Sequence, residues 1–282
     1  MTGEPLETAW WAGLAVAVVV GGLVGSFLNV VAWRLPNGRS VIHPPSACPH
    51  CGRGIRPWHN VPVLGWLMLR GRCADCATPI SARYPLVEAI CAVLWGLLFA
   101  AMVPRGEGML GPAVFPAFGL FALYFSALLA ISLVDADHFI VPDVISLPLI
   151  PLGILAIAIL HIAGVGPSIP DVPEVVLGAA VGGGVMYGIA WFGKLAFGRE
   201  AMGLGDVKLV AAIGAWQGAW PTLLLTIFGA SLLGSVIGLG TMAIRGRERP
   251  PKIPFGPWLC AGALIAWLAG DWIMARWLLL PT

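Results

Sequence analysis

AVFPAFGLFALYFSALLAISLVDADHFIVPD, residues 113–143, joins a long uncharged run to three aspartates. Residues 113–134 carry no charged side chain, and a helix over them is long enough to cross a hydrocarbon core of roughly 30 Å. The whole chain follows suit. It has 282 residues, is 59% hydrophobic and 11% charged, and has a mean hydropathy of +0.89. A water-soluble domain carries about a quarter charged residues. The composition therefore predicts an all-α polytopic membrane protein. The N-terminal MTGEPLETAW holds Glu4 and Glu7 but no basic stretch, so the first apolar segment is expected to remain as a membrane helix rather than a cleaved signal.

Eight apolar segments can be read, near residues 10–33, 85–103, 113–134, 144–163, 174–193, 207–220, 221–244 and 257–279. The sixth is short and only Trp220-Pro221 separates it from the seventh, so the expectation is about eight transmembrane helices. Basic residues set the orientation. With the N-terminus outside, the inner loops hold Arg34, Arg39, Arg53, Arg56, Arg70, Arg72 and Arg83, then Lys194, Arg199, Lys208, Arg245, Arg247, Arg249 and Lys252. Only Arg105 and Arg276 fall outside. The expected organisation is a first helix at 10–33, a cytoplasmic module at 34–84, and a seven-helix membrane part at 85–279.

The module at 34–84 contains CPHC and CADC, that is Cys48, Cys51, Cys73 and Cys76. Two C-x2-C turns present four sulfurs in a tetrahedron, which suits zinc ahead of iron. A reducing cytoplasm disfavours the disulfide alternative. Four thiolates leave no open coordination position, so the metal is read as structural, supplying folding energy that this small segment cannot obtain by burial. Cys91 and Cys260 lie in apolar segments and read as buried hydrophobes.

Carboxylates near a membrane are costly and call for a reason. Under the orientation above, Asp135, at the end of the third segment, and Asp206, in GLGD before the sixth, lie at the same membrane face. Two facing carboxylates in a partly dry site share one proton, and such a pair can activate water and protonate a carbonyl. Gly203 and Gly205 would leave room for an extended substrate backbone, and Lys208 could hold a surface charge or tune the site. Simpler readings stand beside these. Asp206 and Asp143 each suit a helix cap, and Asp137 and His138 suit a solvated loop.

Six motifs occur in order along nearly the whole chain: GSFLNVVAWRLP (25–36), the CPHC…CADC pair, RYPLVE (83–88), SLVDADHFIVPD (132–143), EAMGLGDVKLVAAIGAW (200–216) and IPFGPWL (253–259). In this the chain resembles the bacterial type IV prepilin peptidases, membrane aspartic proteases of the GxGD type. The resemblance implies catalytic roles for Asp135 and Asp206. It also implies cleavage, after a glycine on the cytoplasmic side of the inner membrane, of the short basic leader of type IV pilin and type II secretion pseudopilin precursors. Members with the tetracysteine loop resemble the bifunctional kind, which N-methylate the new N-terminus with S-adenosylmethionine. No motif marks the methyl-donor site. The RLP stretch, Glu88 and residues 53–60 are candidates beside bland readings as an anchor, a helix end and a metal-loop scaffold.

Two other readings compete. A proton-coupled transporter would use membrane carboxylates as a relay, but would place them near the midplane and show internal repeats, and neither is evident. A peptidase without methyltransferase activity would need the same aspartates. The expected partners are a prepilin and the lipid bilayer, with no nucleic acid.

Overall fold

The computed structural model describes residues 4–106, 108, 111–165, 169–198, 202–245 and 253–277. Arg199, Arg247, Arg249 and Lys252 of the orientation argument lie outside the described residues. Among the described residues the chain is helical and holds no named strand. In order come α1 (Glu4–Arg34), a 3-10 turn (Pro57–His59), α2 (Leu64–Met68), α3 (Arg83–Met102), α4 (Val114–His138), α5 (Asp143–Ile162), α6 (Val172–Phe197), α7 (Leu204–Gln217), α8 (Thr222–Arg245) and α9 (Gly256–Trp277).

Among the described residues, seven helices are long and apolar enough to cross a membrane: α1, α3, α4, α5, α6, α8 and α9. The count of eight is not reached, because α7 has 14 residues and is about 21 Å long at 1.5 Å per residue. It ends at Gly218, whose φ of +80° lets the chain leave the helix. The chain divides into two compact units within α4, one ending at Ala130 and the other beginning at Ile131.

In the first unit α1 packs along α3. A β-carbon on Gly21 would lie 2.6 Å from the Trp95 Cβ, and one on Gly25 would lie 2.8 Å from the Cys91 Cβ. Paired small residues let the two backbones approach, which is how helices associate in lipid without a hydrophobic drive. Trp95 Nε1 donates to Ser126 Oγ at 2.9 Å, and Phe118 stacks edge-on against Trp95 and Phe99.

In the second unit α7 is the hub. Leu209, Val210, Ala212, Ile213, Ala215 and Trp216 are all buried, so from Leu209 onward the helix is largely covered by its neighbours. Gly178 of α6 and Gly214 of α7 meet backbone to backbone, so that a β-carbon on either would strike the other. On the α5 side Trp216 lies where a Gly153 side chain would stand, and its Nε1 donates to Leu149 O at 2.9 Å.

Candidate active site

Asp135 sits in the last turn of α4 and is 5% exposed. Its Oδ2 accepts the backbone N–H of Gly256 at 2.9 Å. Gly256 is the first residue of α9, so the carboxylate is held at the positive end of a helix. A β-carbon on Gly256 would lie 2.7 Å from that oxygen, closer than any side chain permits.

Asp206 occupies the first turn of α7, where Gly203 is the N-cap and no side chain bonds the cap. The simple capping reading of Asp206 thus lacks its hydrogen bond, although the helix dipole still favours an anion there. Asp135 and Asp206 line one cleft of about 590 Å³, together with Gly203, Gly205, Phe139 and Phe255. Burial, and after it the nearby Asp135 charge, pushes the Asp206 carboxyl up to about 6. Two such groups cannot both ionise cheaply, so the cleft favours a state with one shared proton.

The glycines differ from one another. Nothing occupies the side-chain position of Gly203 except the Gly205 backbone nitrogen at 3.9 Å, which leaves room on the cleft. At Gly205 the room expected for a substrate is filled by Val141, whose Cβ would lie 2.9 Å from an added β-carbon. There the missing side chain seats the α4–α5 connection on the start of α7. Lys208 points to the same connection: its Nζ donates to both carboxylate oxygens of Asp143 at 2.8 Å. Asp143 is the first residue of α5 and lines the cleft without capping its own helix. Asp137 and His138 are exposed.

Two residues, one beside the cleft and one lining it, escape a reading of the sequence. Gly256 lies within the quoted IPFGPWL, yet nothing in those letters says that its N–H faces a carboxylate 121 positions earlier. Phe139 holds φ at +57°, an outlier for a bulky residue, directly after α4.

In the first unit, Cys48, Cys51, Cys73 and Cys76 place their sulfurs within 4.8 Å of one another, and the group could hold a metal ion. Cys48 and Cys76 Sγ are 3.8 Å apart, close to the edge of a tetrahedron with metal–sulfur bonds of about 2.3 Å. The two turns repeat one backbone design. Cys48 N donates to Arg53 O and Gly52 N to Cys48 O; Cys73 N donates to Thr78 O and Ala77 N to Cys73 O, all at 2.9 Å. Gly52 (φ +72°) and Ala77 (φ +57°) occupy the same left-handed position after the second cysteine of each turn. Thr78 hydrogen-bonds Cys76 and lowers its thiol to about 6, towards the thiolate a metal requires. Asp75 joins the turns by accepting from Arg53 at 3.0 Å and Arg56 at 3.3 Å.

Comparison with known proteins agrees with this geometry. A family model described as the bacterial peptidase A24 N-terminal domain matches residues 19–102, which include the four cysteines. A second, described as the type IV leader peptidase family, matches residues 122–239, which include both aspartates. A prepilin leader peptidase/N-methyltransferase of Stutzerimonas stutzeri is 39% identical, with 93% of this chain and 92% of that protein covered. One of Pseudomonas putida is 40% identical, covering 96% and 94%, and one of Burkholderia pseudomallei is 40% identical, covering 88% and 83%. No solved structure matches.

Proposed function

Since this chain belongs to the type IV leader peptidase family, we propose that it is a membrane aspartic endopeptidase in which Asp135 and Asp206 form the catalytic pair. The observation that carries the reading is the single cleft lined by both carboxylates. In this reading the pair carries one proton, placed on Asp206, which donates it to the scissile carbonyl; the raised Asp206 carboxyl supports that placement. Asp135 keeps one oxygen on the Gly256 N–H and takes a proton from water with the other. Water adds to the carbonyl carbon to give a gem-diol; as the C–N bond breaks, the proton taken up by Asp135 passes to the leaving amine and one hydroxyl of the diol returns its proton to Asp206.

The substrate is a type IV prepilin or type II pseudopilin, cut after the glycine that ends its basic leader. The related prepilin leader peptidase/N-methyltransferases support this substrate, and their names support a second activity. In that step S-adenosylmethionine would supply its methyl group to the new N-terminal amine, with the S–C bond breaking, S-adenosylhomocysteine leaving and the amine giving up a proton to solvent. Cys48, Cys51, Cys73 and Cys76 bind a structural zinc with no position left for a substrate. The protein sits in the inner membrane with its N-terminus outside and the cleft and cysteine module facing the cytoplasm, as the distribution of basic residues favours. That topology needs α7 to carry the chain across in company with its neighbours, which the burial of its Leu209–Gln217 stretch, Ala211 apart, favours.

The test is cleavage of a purified prepilin by the protein in lipid. Asp135→Asn and Asp206→Asn should each abolish cutting while leaving the melting transition intact. Near-normal activity in either would remove that residue from the pair. Labelled methyl donor in the same reaction separates the bifunctional enzyme from a peptidase alone.

A further inference from the structure

The connection between α1 and α3 does not simply leave the membrane and return. Two hydrogen bonds set the levels along the helix pair. Trp10 Nε1 donates to Val103 O at 2.9 Å near one end, and Asn29 Nδ2 donates to Tyr84 O at 3.2 Å near the other. These pairs are 19 residues apart on both helices (10 to 29 and 84 to 103), or about 28 Å, close to the thickness of a hydrocarbon core. Arg105 stacks on Trp10 at the first end, while Arg34 and Arg83 flank the second. Pro62, midway through the connection, lies far inside these limits. A β-carbon on Gly22 would meet the Pro62 Cβ at 3.2 Å and the Ala92 Cβ at 3.9 Å. Gly22 and Ala92 are seven and eight residues inward of Asn29 and Tyr84, so Pro62 stands about 10 Å below that end.

A chain at that depth must satisfy its own polar backbone, since lipid cannot. Seven N–H groups of this segment find acceptors, one of them by unusual means. Pro57 and Pro62 bring no N–H. Asn60, Leu64, Gly65, Leu67 and Leu69 donate to carbonyls within the segment, and His59 to Arg56 O just before it. Val63, held at φ +62° where its N–H has no local acceptor, donates instead to Glu88 Oε2 at 2.7 Å. Glu88 lies one turn inside α3, is 9% exposed, and is otherwise a buried carboxylate with no part in the cleft chemistry. The outward side chains are apolar: Val61, Leu64, Leu67 and Met68 are 42%, 57%, 55% and 69% exposed. Trp58 precedes them and Arg70 follows, the residue types that mark a membrane–water boundary.

We propose that residues 57–69 form a re-entrant element seated in the lipid leaflet at the Arg34/Arg83 end, with Leu64, Leu67 and Met68 against acyl chains and Glu88 clasping the Val63 N–H. The continuity of this face with the lipid-facing sides of α1 and α3 selects phospholipid as the occupant. The proposal is independent of the peptidase reading.

The test places the photoreactive residue p-benzoylphenylalanine at Leu67 or Met68 of the full chain, in nanodiscs of phosphatidylethanolamine and phosphatidylglycerol. After illumination, intact mass should increase by one phospholipid at both positions, at a yield comparable with a probe at Leu97 on the outer face of α3. A probe at Ala74, in the second cysteine turn, should give no such gain. If Leu67 and Met68 behave like Ala74, or cross-link to a second protein chain, the proposal is overturned. Glu88→Leu should abolish the Met68 adduct, whereas Glu88→Gln, which retains an acceptor oxygen, should keep it. Retention of the adduct in Glu88→Leu would remove Glu88 as the clasp.

Discussion

Asp135 Oδ2 and the Gly256 nitrogen lie 2.9 Å apart, and a β-carbon on Gly256 would stand 2.7 Å from the same oxygen. The first residue of α9 therefore sets where the Asp135 carboxylate of α4 can be. Gly256→Ala should displace Asp135 by a fraction of an ångström to an ångström. Misplacement on that scale costs up to about 100-fold in rate. A kcat for prepilin cleavage within twofold of the parent, with the fold intact, would show that this contact does not position the carboxylate.

Asp206 carries a pH signature in stability as well as in rate. Its carboxyl is raised from 3.8 to about 6, so the folded chain binds that proton more tightly than the unfolded chain does. Folding stability is then lost progressively between pH 3.8 and about 6, and the full loss persists above it. Asp206→Asn removes the cost. Its melting temperature should exceed that of the parent near neutral pH, and the gap should close on acidification towards about pH 4. A gap that does not change with pH would contradict the raised value.

Lys208 and Asp143 link the starts of α7 and α5 through two 2.8 Å contacts, with about a third and a half of their side-chain surfaces exposed. A pair so exposed contributes roughly 0.2–1 kcal/mol. Lys208→Met should therefore lower stability only slightly. Its larger effect should be on activity, through a looser α4–α5 connection beside the cleft. A double-mutant cycle with Asp143→Asn reads the coupling directly. Full additivity in both stability and kcat would show that the contact does nothing.

In the cysteine module, Ala77 holds the left-handed conformation that Gly52 holds in the companion turn. Ala77→Gly should relieve strain of roughly 1 kcal/mol and raise the melting temperature without changing metal stoichiometry. Cys73→Ser should reduce bound metal and lower the melting temperature together. Metal content unchanged by Cys73→Ser would remove that thiol from the ligand set.

Much of this architecture is visible in the letters alone, because charge-free runs long enough to cross lipid have few other uses. Each of the eight segments overlaps a helix, seven of them long enough to cross a membrane and the sixth only 14 residues, apart from positions 278 and 279, which fall outside the described residues. Spacing likewise suffices for the four cysteines, since two C-x2-C turns have few ways to share one centre. Sequence is less informative where the backbone is the active party. Gly256 acts through an N–H that every non-proline residue carries. Gly205 looks like room for a substrate and is instead filled by Val141. The sixth segment reads as a weak membrane span because hydropathy counts residues, whereas α7 is kept short by a left-handed Gly218 and sheltered by its neighbours. The depth of Pro62 is also illegible, since a five-residue helix in a loop gives no hydropathy signal of its own.

Gly178 and Gly214, meeting backbone to backbone, have one further effect. Side chains that mesh can change rotamer and let helices slip, but two main chains in contact have no such freedom. The height of Asp206 on α7 is thereby referred to the peptide framework of α6 and not to the surrounding lipid. When the bilayer thins or thickens, the outer helices can tilt to follow it. The carboxylate at the head of α7 should keep its station, so that cleavage proceeds at similar rates in membranes of different acyl-chain length.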